Sequence, residues 1–342
     1  MAQILFLTAQ IAIITVLLII FCEMFTNAVE FIGKYFKIND GVLGSILAAV
    51  GTALPETALP VIAVAGAYIS GTDIKVGTDI CKGAVLGSPF FLSTAEFFVM
   101  AFAVFVLSKT NKRSDKIKID IEFFKRSLTF FLLAYGLGIS ALFIGNRAIN
   151  IVCGIFLPIF YVFYALRTIK YEGDCEPENS GTSALHFEKI FHFNGEIAGF
   201  AQFSVSLAGI IAASHFFVET VKPLSIATGV PPMIITLFVA PFATELPETL
   251  NALLWIKKGK DTLAVGNITG SLIFQSCFPM SAALLLTDGL SSEASVLNVV
   301  CVLFSVAWLI FSTRKNTCEL SFKTFLLPGL FYLAFLIYII SG

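Results

Sequence analysis

Apolar residues run through this chain in long unbroken stretches, and polar residues gather in the short intervals between them. Ten runs, at residues 4–33, 41–67, 79–107, 122–143, 147–167, 196–221, 229–256, 262–287, 292–312 and 322–340, are long enough to cross about 30 Å of hydrocarbon, which takes roughly 20 helical residues. They are continuously apolar rather than alternating, so they read as helices and not as barrel strands; a helix satisfies its own backbone in lipid. The pattern predicts an all-α membrane protein of ten transmembrane helices. The longest polar interval, about Thr168 to Gly195, holds YEGDCEPENSGTS and is rich in turn formers. It divides the chain into a five-helix segment (1–167), a loop (168–195) and a second five-helix segment (196–342).

Composition agrees with this picture. The chain is 57% hydrophobic and 13% charged, with 36 phenylalanines, whereas a soluble domain carries about a quarter charged residues. The first run follows no basic residue and ends without a small-residue cleavage site, so it reads as a span rather than a signal peptide. Charge supplies direction. Of the 22 Lys and Arg residues, only Lys75, Lys82, Arg147 and Lys222 fall on the side opposite the 168–195 loop. The positive-inside rule then makes that loop cytoplasmic and puts both termini outside a cell membrane. The basic cluster from Lys109 to Arg126 is read as a topology signal, with no nucleic-acid partner expected. Seven cysteines without paired spacing and three scattered histidines indicate neither a disulfide framework nor a zinc site, and no permanently bound cofactor is expected. The expected partners are inorganic cations and the lipid bilayer.

A five-span half forces the next half to enter the membrane from the opposite side, so similar halves form an inverted repeat. The halves are similar. AVGTALPETALP (Ala49 to Pro60) matches APFATELPETLN (Ala240 to Asn251), and KGAVLGSPFF (Lys82 to Phe91) matches VGNITGSLIF (Val265 to Phe274), in the same order. In each T-x-L-P-E, proline lacks a backbone donor and clashes with the preceding turn. Pro55 and Pro247 are therefore expected to break their helices and free carbonyls near Ala49, Thr52, Pro241 and Thr244. Broken backbone at membrane depth must line a cavity or be buried in protein. Freed carbonyls beside carboxylates make an oxygen cage suited to a hard cation such as calcium, which takes six to eight oxygens. Each carboxylate at a helix centre costs about 2.5–3.5 kcal/mol, so Glu56, Glu245 and Glu248 need something to offset them. The plainer alternative, ordinary kinks with acids paired to buried bases, meets the near absence of Lys and Arg inside the spans. The two GxxxG pairs, Gly83 with Gly87 and Gly266 with Gly270, let helices approach closely and would bring Ser88 and Ser271 against the breaks.

GTALPE followed by GAVLGS, then ATELPE followed by GNITGS, across five-span halves, resembles the sodium/calcium exchangers of the cation/calcium antiporter superfamily, of bacterial or archaeal type. The resemblance implies alternating access around a central site where Glu56 and Glu248 bind calcium with the Thr52 and Thr244 carbonyls. It also matches Ser88 and Ser271 to serines of sodium sites. This chain departs from the family pattern in several places. Ala53 and Glu245 stand where a small hydroxyl residue is expected. Asparagines are missing at Ala84, Pro89 and Leu92, and in the second half Asn267 survives while Leu272 and Gln275 replace the others. Calcium-like binding is thus better supported than sodium coupling, and Glu245 points to protons as part or all of the counter-transport.

The fold class implied is two inverted five-helix repeats with broken helices at a central ion site. The function implied is a secondary-active antiporter exporting calcium, or a similar divalent ion, in exchange for sodium and/or protons. A non-cycling cation sensor or channel-like relative is the alternative, and no enzyme constellation is visible. Glu96, eight residues after Ser88, is read either as lining the inner access path or as having a packing or a lipid-edge role. Glu23, Glu30 and Glu219 are read as gating contacts or snorkelling acids, and Trp255 and Trp308 as interface anchors.

Overall fold

The computed structural model describes residues 2–35, 46, 53–71, 73–110, 113–170, 185–187, 195–257, 259, 261–290, 292–313 and 319–341. In chain order its helices are α1 (Ala2–Tyr35), α2 (Leu54–Ser70), α3 (Ile74–Phe91), α4 (Phe97–Lys109), α5 (Ile121–Ile144), α6 (Arg147–Ile169), α7 (Gly195–Thr228), α8 (Pro232–Thr244), α9 (Leu246–Lys257), α10 (Asp261–Leu286), α11 (Glu293–Ser312) and α12 (Leu326–Ser341). A π-helical segment, Leu92–Glu96, joins α3 to α4, and a 3-10 turn, Phe322–Phe325, leads into α12. Among the described residues, eight helical stretches are long and apolar enough to cross a membrane, and two more apolar ones, Glu56–Ile69 and Pro232–Pro241, are shorter. The run predicted at 229–256 is cut in two at Glu245, and much of the first part of the 41–67 run lies outside the described residues. The all-α expectation needs a small correction. Lys116–Lys118 (β1) pairs antiparallel with Glu319–Ser321 (β2), Ile117 opposite Leu320. Both of these apolar residues are buried while Lys116 and Lys118 point outward. Three-residue strands in polar intervals are too short for a pattern of apolar runs to show.

The chain forms two compact units that each draw on both sequence halves: Met1–Gly87 with Pro177–Pro247, and Ser88–Glu176 with Glu248–Gly342. In the first unit α1 and α7 run antiparallel over much of their length. Phe21 lies over Gly209 and Phe31 over Gly199, while the Phe25 and Phe203 rings sit 4.9 Å apart. Gln202, fully buried, ties the pair by donating to the Met24 carbonyl (2.8 Å) and to Asn27 Oδ1 (2.9 Å). The apolar core of this unit gathers Leu18, Leu59, Ile80, Phe217 and Ile235 from five helices. α3 closes against α8 so tightly that a Cβ on Gly83 or Gly87 would collide with the carbonyl oxygens of Met233 and Leu237. The close approach expected of the first GxxxG is therefore present. At Gly266 the nearest outside atom to such a Cβ, in Phe123, is 3.8 Å away, so this glycine of the other motif is not forced by packing.

In the second unit α10 lies against α5 and α6. Met280 covers Gly138, Ser281 donates to the Gly154 carbonyl, and Tyr161 packs edge-on to Phe274 at 5.3 Å. α5 and α6 turn sharply into one another because Gly145 takes the left-handed conformation (φ 64°) that ends α5, and Asn146 caps α6 by accepting from the Ala148 and Ile149 amides. Arg113 forms a two-pronged bond to Asp261 (2.9 and 2.6 Å) and donates to the Ile256 carbonyl (2.9 Å). It thereby bridges the end of α9 and the start of α10.

Candidate cation site

The site is built around the helix breaks. Pro247 has no N–H to continue α8, so α8 ends at Thr244, Glu245 forms the bend, and α9 starts at Leu246. In the first half Pro55 is the second residue of α2. Both prolines thus open a helix, where their fixed φ suits the first turn. Each is followed at once by a glutamate, Glu56 or Glu248, in that first turn, beside the positive end of the helix dipole. Ala49 and Thr52 lie outside the described residues. The Pro241 carbonyl is not freed as expected, because Glu245 N donates to it at 2.8 Å. The chain closes one more turn before it bends.

Within the first unit three of the expected residues meet. The Glu56 carboxyl lies beside the Thr244 hydroxyl and the Glu245 carboxyl, and all three residues are buried. The Thr244 hydroxyl donates to the Ala240 carbonyl at 3.0 Å, and among the described residues neither Glu56 oxygen finds a hydrogen bond of good geometry. Buried carboxylate oxygens with open lone pairs ask for an explanation, and a bound cation is one. In the second unit Asn267, Ser271 and Gln275 recur every fourth residue of α10 and so share one stripe, all buried. Among the described residues neither amide atom of Asn267 has a hydrogen-bond partner, nor has the Ser271 hydroxyl. Glu248 and Ser88 are also buried in this unit.

The other acids sort by burial. Glu96 is wholly buried, which removes the lipid-edge reading. The π-helical turn that holds it also breaks the α-helical phase on which a shared stripe with Ser88 depends. Glu23 is exposed, its carboxylate 4.0 Å from the His186 ring, and Glu219 is exposed on α7. The side chain of Glu30 lies outside the described ones. Trp308 donates to the Thr324 carbonyl at 2.9 Å, so it also braces α11 against the turn before α12. Sequence reasoning passed over Asn298, which is fully buried on α11 with neither amide atom partnered among the described residues. A lone amide in an apolar run was its only signal.

The family model described as sodium/calcium exchanger protein matches residues 6–170 and 198–341. The chain belongs to that family. Its members are transporters, not enzymes, and this exchanger is a multi-pass membrane protein; the residues passed over between the two matches coincide with the polar interval of the sequence. The inner membrane protein YrbG of Escherichia coli (strain K12) is 24% identical over 310 residues, 88% of each chain. The putative antiporter CaxA of Alkalimonas amylolytica is 24% identical over 281 residues, 82% of this chain and 81% of its own. Among solved structures, an H+/Ca2+ exchanger, CAX, shares the fold with a TM-score of 0.76 at 17% identity, covering 98% of this chain and 86% of that one. The sodium-calcium exchanger NCX_Mj does so with a TM-score of 0.61 at 18% identity, covering 97% of each.

Proposed function

We propose that this exchanger is a secondary-active antiporter that exports calcium, or a similar divalent cation, in exchange for sodium and/or protons. The observation that carries the reading is the buried contact of Glu56 with Thr244 and Glu245. Two neighbouring carboxylates away from water repel one another, and a dication or protons between them relieve that repulsion. The same oxygens therefore suit divalent cargo in one half of a cycle and protons in the other. Glu56 and Glu248 supply the principal carboxylates, with the Thr52 and Thr244 carbonyls, and Ala49 belongs to the same break. Ser88, Asn267, Ser271 and Gln275 offer neutral oxygens for the counter-ion.

Alternating access by two inverted five-helix repeats suits the element lengths. α1 and α7 are both 34 residues long. Their starts, Ala2 and Gly195, are 193 positions apart, and the starts of α2 and α9, Leu54 and Leu246, are 192 apart. Such spacing is what a duplicated half would give. The charge asymmetry favours outside termini and a cytoplasmic 168–195 loop, so a tag at Met1 should be reachable only from outside.

Calcium counterflow in proteoliposomes tests the reading. Wild type should exchange saturably, and Glu56→Gln and Glu248→Gln should each bring flux to background while the protein still purifies folded. Wild-type flux in either variant ends the assignment, and flux without a trans-ion requirement favours a channel. With sodium absent, an imposed pH gradient should drive calcium, and Glu245→Ser should shift the dependence toward sodium. Strict sodium dependence without any response to pH would remove protons from the cycle.

A further inference from the structure

Toward the Tyr35 end of the α1–α7 pair, three residues of the polar interval lie against the helices. Leu185 is buried, Phe187 N donates to Gln202 Oε1 at 3.0 Å, and the His186 ring faces Glu23 at 4.0 Å. An apolar group, an N–H on a glutamine and a nitrogen base opposite a carboxylate are thus already accepted on this helix pair.

At the Ala2 end lies a groove of about 360 Å³, walled by Leu7, Ile14 and Phe216 and edged by Gln10, Glu219 and Thr220. It again offers a glutamine, a carboxylate and apolar walls. The Thr220 hydroxyl already donates to the Phe216 carbonyl (2.8 Å), so it has only lone pairs to offer. Glu219 makes no ion pair among the described residues. The surroundings are lipid-facing: Leu5, Phe6, Ile13 and Phe216 are 72%, 63%, 62% and 60% exposed. Glu219 stands two residues before the end of the 196–221 apolar run, about 3 Å along the axis, at the level where a lipid headgroup meets the acyl chains.

We infer that this groove binds a phospholipid with a primary ammonium headgroup, the ammonium donating to Glu219 and Gln10 and an acyl chain lying along Leu7, Ile14 and Phe216. Charge complementarity selects the class. An ethanolamine ammonium brings a positive charge and three N–H donors, a choline brings charge without donors, and a glycerol headgroup leaves the phosphate to repel the carboxylate.

The test is native mass spectrometry of the full-length protein in detergent, titrated with phosphatidylethanolamine, its mono- and dimethyl derivatives, phosphatidylcholine and phosphatidylglycerol. Retention should fall stepwise with methylation. Phosphatidylethanolamine should be held roughly five- to tenfold better than phosphatidylcholine, the return on one charge-assisted hydrogen bond. Glu219→Gln and Gln10→Leu should each reduce this preference, and Glu23→Gln, at the other end, should leave it unchanged. If Glu219→Gln does not fold, the methylation series on wild type and the Gln10→Leu result decide the matter. Equal retention of all headgroups, or an undiminished preference in the variants, overturns the proposal. So does a dimer that cross-links through Ile13→Cys without lipid preference, which would assign the groove to a second copy.

Discussion

Each of four glycines sits in an apolar run, Gly83 and Gly87 in the first unit, Gly138 and Gly154 in the other, yet the two pairs meet different neighbours. The first two face the backbone carbonyls of Met233 and Leu237, which cannot move without their helix. Gly138 faces the Cγ and Sδ of the Met280 side chain, and Gly154 mainly the branched end of Leu285. The units differ in the same sense at larger scale. Little of the apolar stretch of α1 is buried, whereas most of that of α10 is, so the second unit wraps an axial helix in side chains while α1 keeps most of itself toward lipid. At Gly138 and Gly154 the second unit meets side chains, whereas its rigid points are Gly289, pressed against the Leu142 carbonyl, and the Arg113–Asp261 clamp.

The largest test of this difference is the double substitution Gly83→Ala with Gly87→Ala. Two added methyls against immovable carbonyls should cost about 4 kcal/mol, the sum of two overpacking terms, seen as loss of folded protein or a steep fall in Tm in detergent. Asp261→Asn should cost about 3 kcal/mol, because it leaves the nearly buried Arg113 guanidinium without its counter-charge; a Tm unchanged from wild type would show that the clamp is dispensable. Gly138→Ala should cost about 1 kcal/mol, less than either glycine of the first pair, since Met280 must turn but has three rotatable bonds with which to do so. A loss equal to that at Gly83 would erase the distinction between the units. Smallest is Lys116→Ala, which removes an exposed ion pair to Glu319 (3.0 Å) and should leave Tm unchanged at neutral pH. Glu319 holds the Lys116 ammonium above its usual range. Any contribution is therefore complete below the ordinary lysine range and fades as pH rises beyond it, which an alkaline titration of wild type against the variant would reveal.

The sequence made the breaks legible because proline acts locally: Pro55 and Pro247 open helices wherever the chain goes, and their glutamates ride in the first turn. Burial of Glu56, Glu245 and Glu248 followed from their setting in apolar runs. Other features depend on distant partners. Nothing local announces that Gly83 needs its bare backbone, because the reason lies on α8. The β1–β2 ribbon joins stretches some 200 positions apart, and Gln202 reaches Met24 and Asn27 across a comparable separation. Single polar residues in apolar runs mark such contacts without naming their partners. The Pro241 carbonyl defeats the expectation of a free acceptor because a helix can close one further turn before a break.

The π-helical segment at Leu92–Glu96 acts as a phase shifter. A residue added to an α-helix advances every later side chain by about 100°, so α4 owes its facing to this one wide turn. As built, Phe97, Met100, Ala101 and Val104 point inward while Phe102 and Val106 face outward. Deleting a single residue here would retard the whole of α4 by that angle, carrying part of its inner face toward lipid and part of its outer face inward. The segment is thus a place where chain length, rather than residue identity, is under constraint. Substitutions can be absorbed one at a time, but an insertion or deletion is felt along every turn of α4 at once.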